Sequence, residues 1–161
     1  MISGTALVQL TYLHVFLSFI GIGAGLFVVF GLFTSRRLSI LTATFLVATL
    51  ATSVTAFLFP FNGVTPGIIL GVLSILVLLV AIVALYVKKL EGPWRATYVV
   101  SALVAYYFNF FVLVAQGFAK VPALKAVAPT MSSPAFGGTQ LALLVLFVLI
   151  GVRSVKEFHP E

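Results

Sequence analysis

Two histidines occur in the chain, and only His14 lies within an apolar stretch; His159 sits in the polar tail. Imidazole is the side chain that titrates nearest neutral pH, and it can carry a proton, ligate a metal or hold a ligand. With positions advancing about 100° per residue, Thr11, His14, Ser18, Gly21 and Gly25 fall in one narrow helical stripe. A second polar set, Tyr98, Ser101, Asn109 and Gln116, shares one face of a later segment, with Asn109 near its middle and Tyr106 close by. An amide in hydrocarbon needs a partner, because an unsatisfied polar group there costs several kcal/mol. His14, Ser18, Thr11, Asn109, Gln116 and Tyr106 are therefore the candidate residues for ligand binding or for polar packing between helices. The simplest expectation for His14 is a neutral ring bonded to Ser18, Thr11 or Asn109.

Other chemistry is scarce. The three acids, Glu91, Glu157 and Glu161, lie outside the apolar segments, so neither a carboxylate proton relay nor a paired-carboxylate hydrolase is expected. Cysteine is absent, which removes thiolate ligands, disulfides and cysteine nucleophiles. There is no H-E-x-x-H, P-loop or G-x-S-x-G motif, and Gly21, Gly23 and Gly25 lie inside an apolar run instead of at a strand-to-helix turn. No catalytic residue, no metal site and no enzymatic activity is expected. No cofactor is expected either; a b-type haem on His14 would draw its second axial ligand from another copy or subunit, Met131 being a poor candidate.

The elements that must position these residues are membrane spans. Hydrophobic residues make up 62% of the 161 and charged residues 7%, far from the soluble average of about 25% charged. The runs 7–33, 38–59, 67–87, 96–118 and 138–153 are each read as a transmembrane helix, giving a single all-α integral membrane domain of five spans. The first span, preceded by no Lys or Arg, is expected to be retained instead of cleaved as a signal peptide. The second is rich in hydroxyls: Thr44, Ala48, Ala51, Thr52 and Thr55 share one face, and Thr42, Thr49, Ser53 and Ala56 another. Those hydroxyls either line a polar path or bond their own backbone three or four residues back. It ends at the turn-forming cluster Pro60–Gly63.

Small residues mark where helices approach closely: Gly21 and Gly25 on the first span, and Gly67, Gly71 and Ser74 on the third. The connection 119–137, broken by Pro122, Pro129 and Pro134, is read as an outer loop containing a short amphipathic helix near Pro122. Arg36, Arg37, Lys88, Lys89, Arg95, Arg153 and Lys156 fall on one side of the spans, and Lys120 and Lys125 on the other. By the positive-inside rule the N-terminus is outside and the C-terminus cytoplasmic. The formal charge of +6 thus points to topology and anionic lipid, and nucleic acid is not an expected partner.

The strings LTYLHVFLSFIGIGAGLFVVFGL, FLFPF, GPWRATYVV and NFFVLVAQGFAKVPALKAVAPT resemble those of small uncharacterised multi-spanning proteins of the bacterial inner membrane. The resemblance implies that localisation and no particular activity. Such proteins often have a histidine after the proline that opens the third span; Thr65-Pro66-Gly67-Ile68 has none. The leading expectation is a small subunit or accessory protein that associates with other membrane helices, or with its own copies, through its Gly/Ser/Thr faces. The alternative is a small transporter or ligand-binding bundle with a pocket near His14 and Asn109, and a haem- or quinone-binding redox protein is third.

Overall fold

The structure is a computed structural model that describes residues 4–60 and 63–160. Phe61 and Asn62, in the turn expected after the second span, lie outside the described residues, as do residues 1–3 and Glu161. Helices account for nearly all regular structure, with no strand among the described residues. Helix α1 (Gly4–Phe33) stops in a tight turn where Ser35 takes a left-handed φ of 54° and the Arg36 N–H donates to the Gly31 carbonyl at 2.8 Å. A Cβ on Gly31 would lie 2.7 Å from the Arg36 carbonyl oxygen, so only glycine allows the chain to fold back this closely.

The turn leads into α2 (Ser39–Ala56), whose first turn has no side-chain cap. Helix α3 (Pro66–Ile82) begins with Pro66 at its first position, and the Ile68 N–H donates to the Thr65 hydroxyl at 3.3 Å. It relaxes into a π-helical turn, Val83–Val87. Left-handed backbone at Lys89, Leu90 and Gly92 then reverses the chain into α4 (Trp94–Lys120). A short helix, α5 (Pro122–Val127), interrupts the connection to α6 (Pro134–Glu157). Five helical segments, of 30, 18, 22, 27 and 24 residues, are long and apolar enough to cross a membrane, since about 20 residues span the hydrocarbon core. The shortest, α2, reaches about 27 Å at 1.5 Å per residue.

Helix α1 packs against α2, α4 and α6, while α4 packs against α1, α3 and α6, and α2 also meets α3. Helices α1 and α4 are therefore the shared members of the bundle. The main hydrophobic cluster lies in one half, with Phe136 and Gln140 buried separately near the start of α6. On α1 every buried residue lies at or beyond Gly21, and on α4 they run only from Tyr98 to Tyr106. Arg95 closes this end: its guanidinium Nη1 donates to the carbonyls of Val155 and Phe158, at 2.8 and 2.6 Å, satisfying the C-terminus of α6. The half of α1 nearer its N-terminus is more open, and Thr11, His14 and Ser18 are all only half-buried there.

A candidate polar seam between three helices

Thr49, Thr52 and Thr55 follow one another at three-residue intervals, which places them in a slowly rotating row along α2. Two of them receive side chains from other helices. The Asn109 amide nitrogen on α4 donates to the Thr49 hydroxyl at 3.1 Å, and His14 Nδ1 on α1 lies 2.9 Å from the Thr55 hydroxyl. The direction of the second bond follows from valence. The Thr55 hydroxyl has one proton, which it donates to the Thr52 carbonyl at 2.9 Å. With its proton on that carbonyl the hydroxyl accepts from His14, an assignment that puts the ring proton on Nδ1 and leaves Nε2 as the acceptor of the neutral ring. The ring meets Phe59 edge to face, with centroids 5.3 Å apart, and Nε2 has no hydrogen-bond partner among the described residues.

Thr52 stands between these two contacts. It is 9% exposed, and its hydroxyl has no partner among the described residues. The Asn109 carbonyl oxygen likewise has none, and that residue is half-buried. From Thr49 to Thr55 the row covers about 9 Å of helix. His14 and Asn109 thus occupy two ends of one seam and do not bond each other. The row is rich in acceptors and holds no carboxylate, so its chemistry suits a small polar ligand that donates hydrogen bonds.

The small residues of α1 make this approach feasible. A Cβ on Gly21 would fall 2.9 Å from the Thr49 hydroxyl and 3.7 Å from the Asn109 amide. One on Gly25 would overlap the Tyr106 ring. Tyr106 is buried there, donating its hydroxyl to the Ile22 carbonyl at 2.9 Å and packing edge to face on Phe45 and Phe110. It acts as a packing wedge that pins α4 to α1, with its one proton engaged.

Several expectations need correction. The partner of His14 is Thr55, because Thr11 and Ser18 donate to carbonyls one turn back in their own helix, those of Leu7 and His14, at 2.8 and 2.7 Å. Asn109 reaches Thr49 instead of His14. Gln116 is exposed and partnerless among the described residues, one to two turns beyond the seam. Gly67 is exposed, with only Thr65 of its own cap nearby, and meets no other helix among the described residues. Gly71 does, lying against Phe57 such that a Cβ would approach to 3.1 Å, and Ser74 is buried on the same helix.

The two readings of the α2 hydroxyls divide between positions. Thr44, Ser53 and Thr55 bond their own backbone, whereas Thr49 receives Asn109 and the Thr52 hydroxyl has no partner among the described residues. The face-by-face reading kept Thr52 and Thr55 together and set Thr49 apart from them, and the three-residue spacing is the signal that unites all three. Among the described residues no three of His, Cys, Asp or Glu gather as a metal site. Comparison of the chain with protein-family models, with curated proteins and with solved structures returns no match.

Proposed function

We propose that the protein is a five-span bundle of the bacterial cytoplasmic membrane, N-terminus outside and C-terminus cytoplasmic, whose seam between α1, α2 and α4 binds a small hydrogen-bond-donating ligand. The observation that carries this reading is a half-buried histidine on α1 whose Nε2 has no partner among the described residues, with a buried threonine hydroxyl, likewise without a partner among them, one turn along α2 from the Thr55 that holds the ring. Polar groups within a membrane are costly, and those left unsatisfied point to a ligand or water path. The orientation rests on the distribution of Lys and Arg, which puts the His14 end of the seam on the outer side.

The subunit reading is weaker on one specific ground. Gly21, Gly25 and Gly71 contact residues of their own chain, so those small-residue faces are already occupied. What remains for another helix, or a second copy, is exposed apolar surface, such as Phe16 and Phe27 on α1, Leu76 on α3 and Leu141, Val145 and Leu149 on α6, which lipid covers equally well. Haem or quinone binding would use the same free Nε2; a Soret band lost in His14→Ala would establish haem.

The test is a thermal-unfolding screen of the purified protein against small amines and hydroxylated compounds. A ligand held at 100 times its dissociation constant stabilises the fold by about 2.7 kcal/mol. A compound that raises the midpoint of the wild type, but of neither His14→Ala nor Asn109→Ala, supports the reading. A midpoint rise that survives in both variants rejects the seam as its site.

A further inference from the structure

The end of the bundle remote from His14 holds a second feature that the seam does not use. The turn between α1 and α2 brings Arg36 and Arg37 to a crevice whose walls are apolar, from Leu32, Leu85 and Phe158, and whose polar lining includes Ser39, Tyr86 and Tyr98. It is narrow inside, with about 30 Å³ of free space, the room of about two waters. Only the tip of a ligand enters, and the rest lies outside the narrow interior, along a crevice that Arg36 and Arg37 help to line.

Neither Arg36 nor Arg37 has a carboxylate or a side-chain hydrogen-bond partner among the described residues. Their neighbours at this end differ. Arg95 is bonded to the carbonyls of Val155 and Phe158, Arg153 stacks on Phe33 at 4.8 Å, and Lys88 lies 5.3 Å from the Trp94 ring centroid. The backbone that carries these two exposed arginines is held in place. The Gly31 contact and the Arg36 N–H bond fix the turn, and the His159 N–H donates to the Ser35 hydroxyl at 2.7 Å, tying the C-terminal tail beneath it. Ser39 opens α2 with no side-chain cap, so the positive end of an 18-residue helix lies at the same crevice.

We propose that this crevice is a binding site for the phosphate of an anionic phospholipid. Two planar guanidinium groups match phosphate oxygens bidentately, and an uncapped helix start adds backbone donors. The choice of lipid over free phosphate rests on placement. Arg36 and Arg37 stand where two membrane-crossing helices meet the surface, the depth of lipid phosphates, and the crevice walls are apolar.

The experiment is native mass spectrometry of the full chain in detergent, titrated with dioctanoyl phosphatidylglycerol, with dioctanoyl phosphatidylcholine and with inorganic phosphate as competitor. The expected result is a preference for phosphatidylglycerol that falls about tenfold or more in R36Q/R37Q and holds in K88Q/K89Q, which removes equal charge at the same end. Equal losses in the two double variants would reduce the effect to diffuse charge and overturn the site. Displacement of the lipid by millimolar inorganic phosphate would overturn the lipid assignment. Should R36Q/R37Q fail to fold, R36K/R37K carries the test: it keeps both charges, loses the bidentate fork and must bind several-fold more weakly. Unchanged affinity there contradicts the proposal.

Discussion

Replacing Thr55 by valine removes the one acceptor that holds His14 in a single tautomer, and the size of the effect follows from the geometry. With the Thr55 proton on the Thr52 carbonyl at 2.9 Å, the 2.9 Å contact to the ring is made by the Nδ1–H form. Interhelical hydrogen bonds in membranes average about 0.6 kcal/mol and reach about 1.7, which biases the tautomer ratio by about 3- to 18-fold toward Nδ1–H. Solid-state NMR of the ¹⁵N-labelled imidazole in bilayers reads this directly, at a pH well above the ordinary imidazole range of about 6.5. His159→Gln removes the only other histidine signal. The wild type and Thr55→Ser should show Nδ1–H in excess, and Thr55→Val should lose that excess. A wild-type ring protonated mainly on Nε2, or a ratio unaltered by Thr55→Val, would refute the assigned bond.

Gly25→Ala drives a methyl into the Tyr106 ring and should cost about 1–3 kcal/mol in reversible unfolding. Gly23→Ala, two residues away and facing open space, should cost nothing and gain up to about 1 kcal/mol of helix propensity. Thr52→Val removes a buried hydroxyl that has no partner among the described residues and should stabilise the ligand-free protein by about 1 kcal/mol in the same assay; a loss of stability would mean that the hydroxyl is satisfied in the membrane. Arg95→Met deletes both bonds to the C-terminal carbonyls of α6. It should lower stability by about 2–3 kcal/mol and accelerate protease trimming of the tail, and an equally resistant tail would count against the cap.

The architecture is legible because long apolar runs and turn residues act locally. Pro66 after Thr65 starts α3, Gly92-Pro93 starts α4, and uncharged runs leave five helices able to cross a membrane. The small-residue stripe on α1 is legible too, since Gly21 and Gly25 fall where α2 and α4 press closest. Partner identity was not. His14 could equally bond Ser18 one turn away or a hydroxyl on another helix, and only the relative rotation of α1 and α2 selects Thr55. Thr49 and Thr55 differ by about 120° on a helical wheel, yet the packed helices give both an intermolecule-like contact to a neighbouring helix within one chain. Arg95 reaching carbonyls 60 and 63 residues later, and the π-helical turn that ends α3, depend on tertiary packing that no local pattern encodes.

Ligand binding at the seam requires that it admit water and small solutes from the His14 side. The chain contains no cysteine, so single cysteines report without background. In oriented membranes treated with a small, membrane-impermeant methanethiosulfonate, Ser18→Cys and Thr52→Cys should react from the side bearing Lys120. Val47→Cys and Val54→Cys, on exposed apolar positions of α2, should stay unreactive, because thiolate does not form in hydrocarbon. Labelling at positions 18 and 52 no faster than at 47 and 54 would contradict a hydrated seam and reduce His14, Thr55, Thr49 and Asn109 to packing.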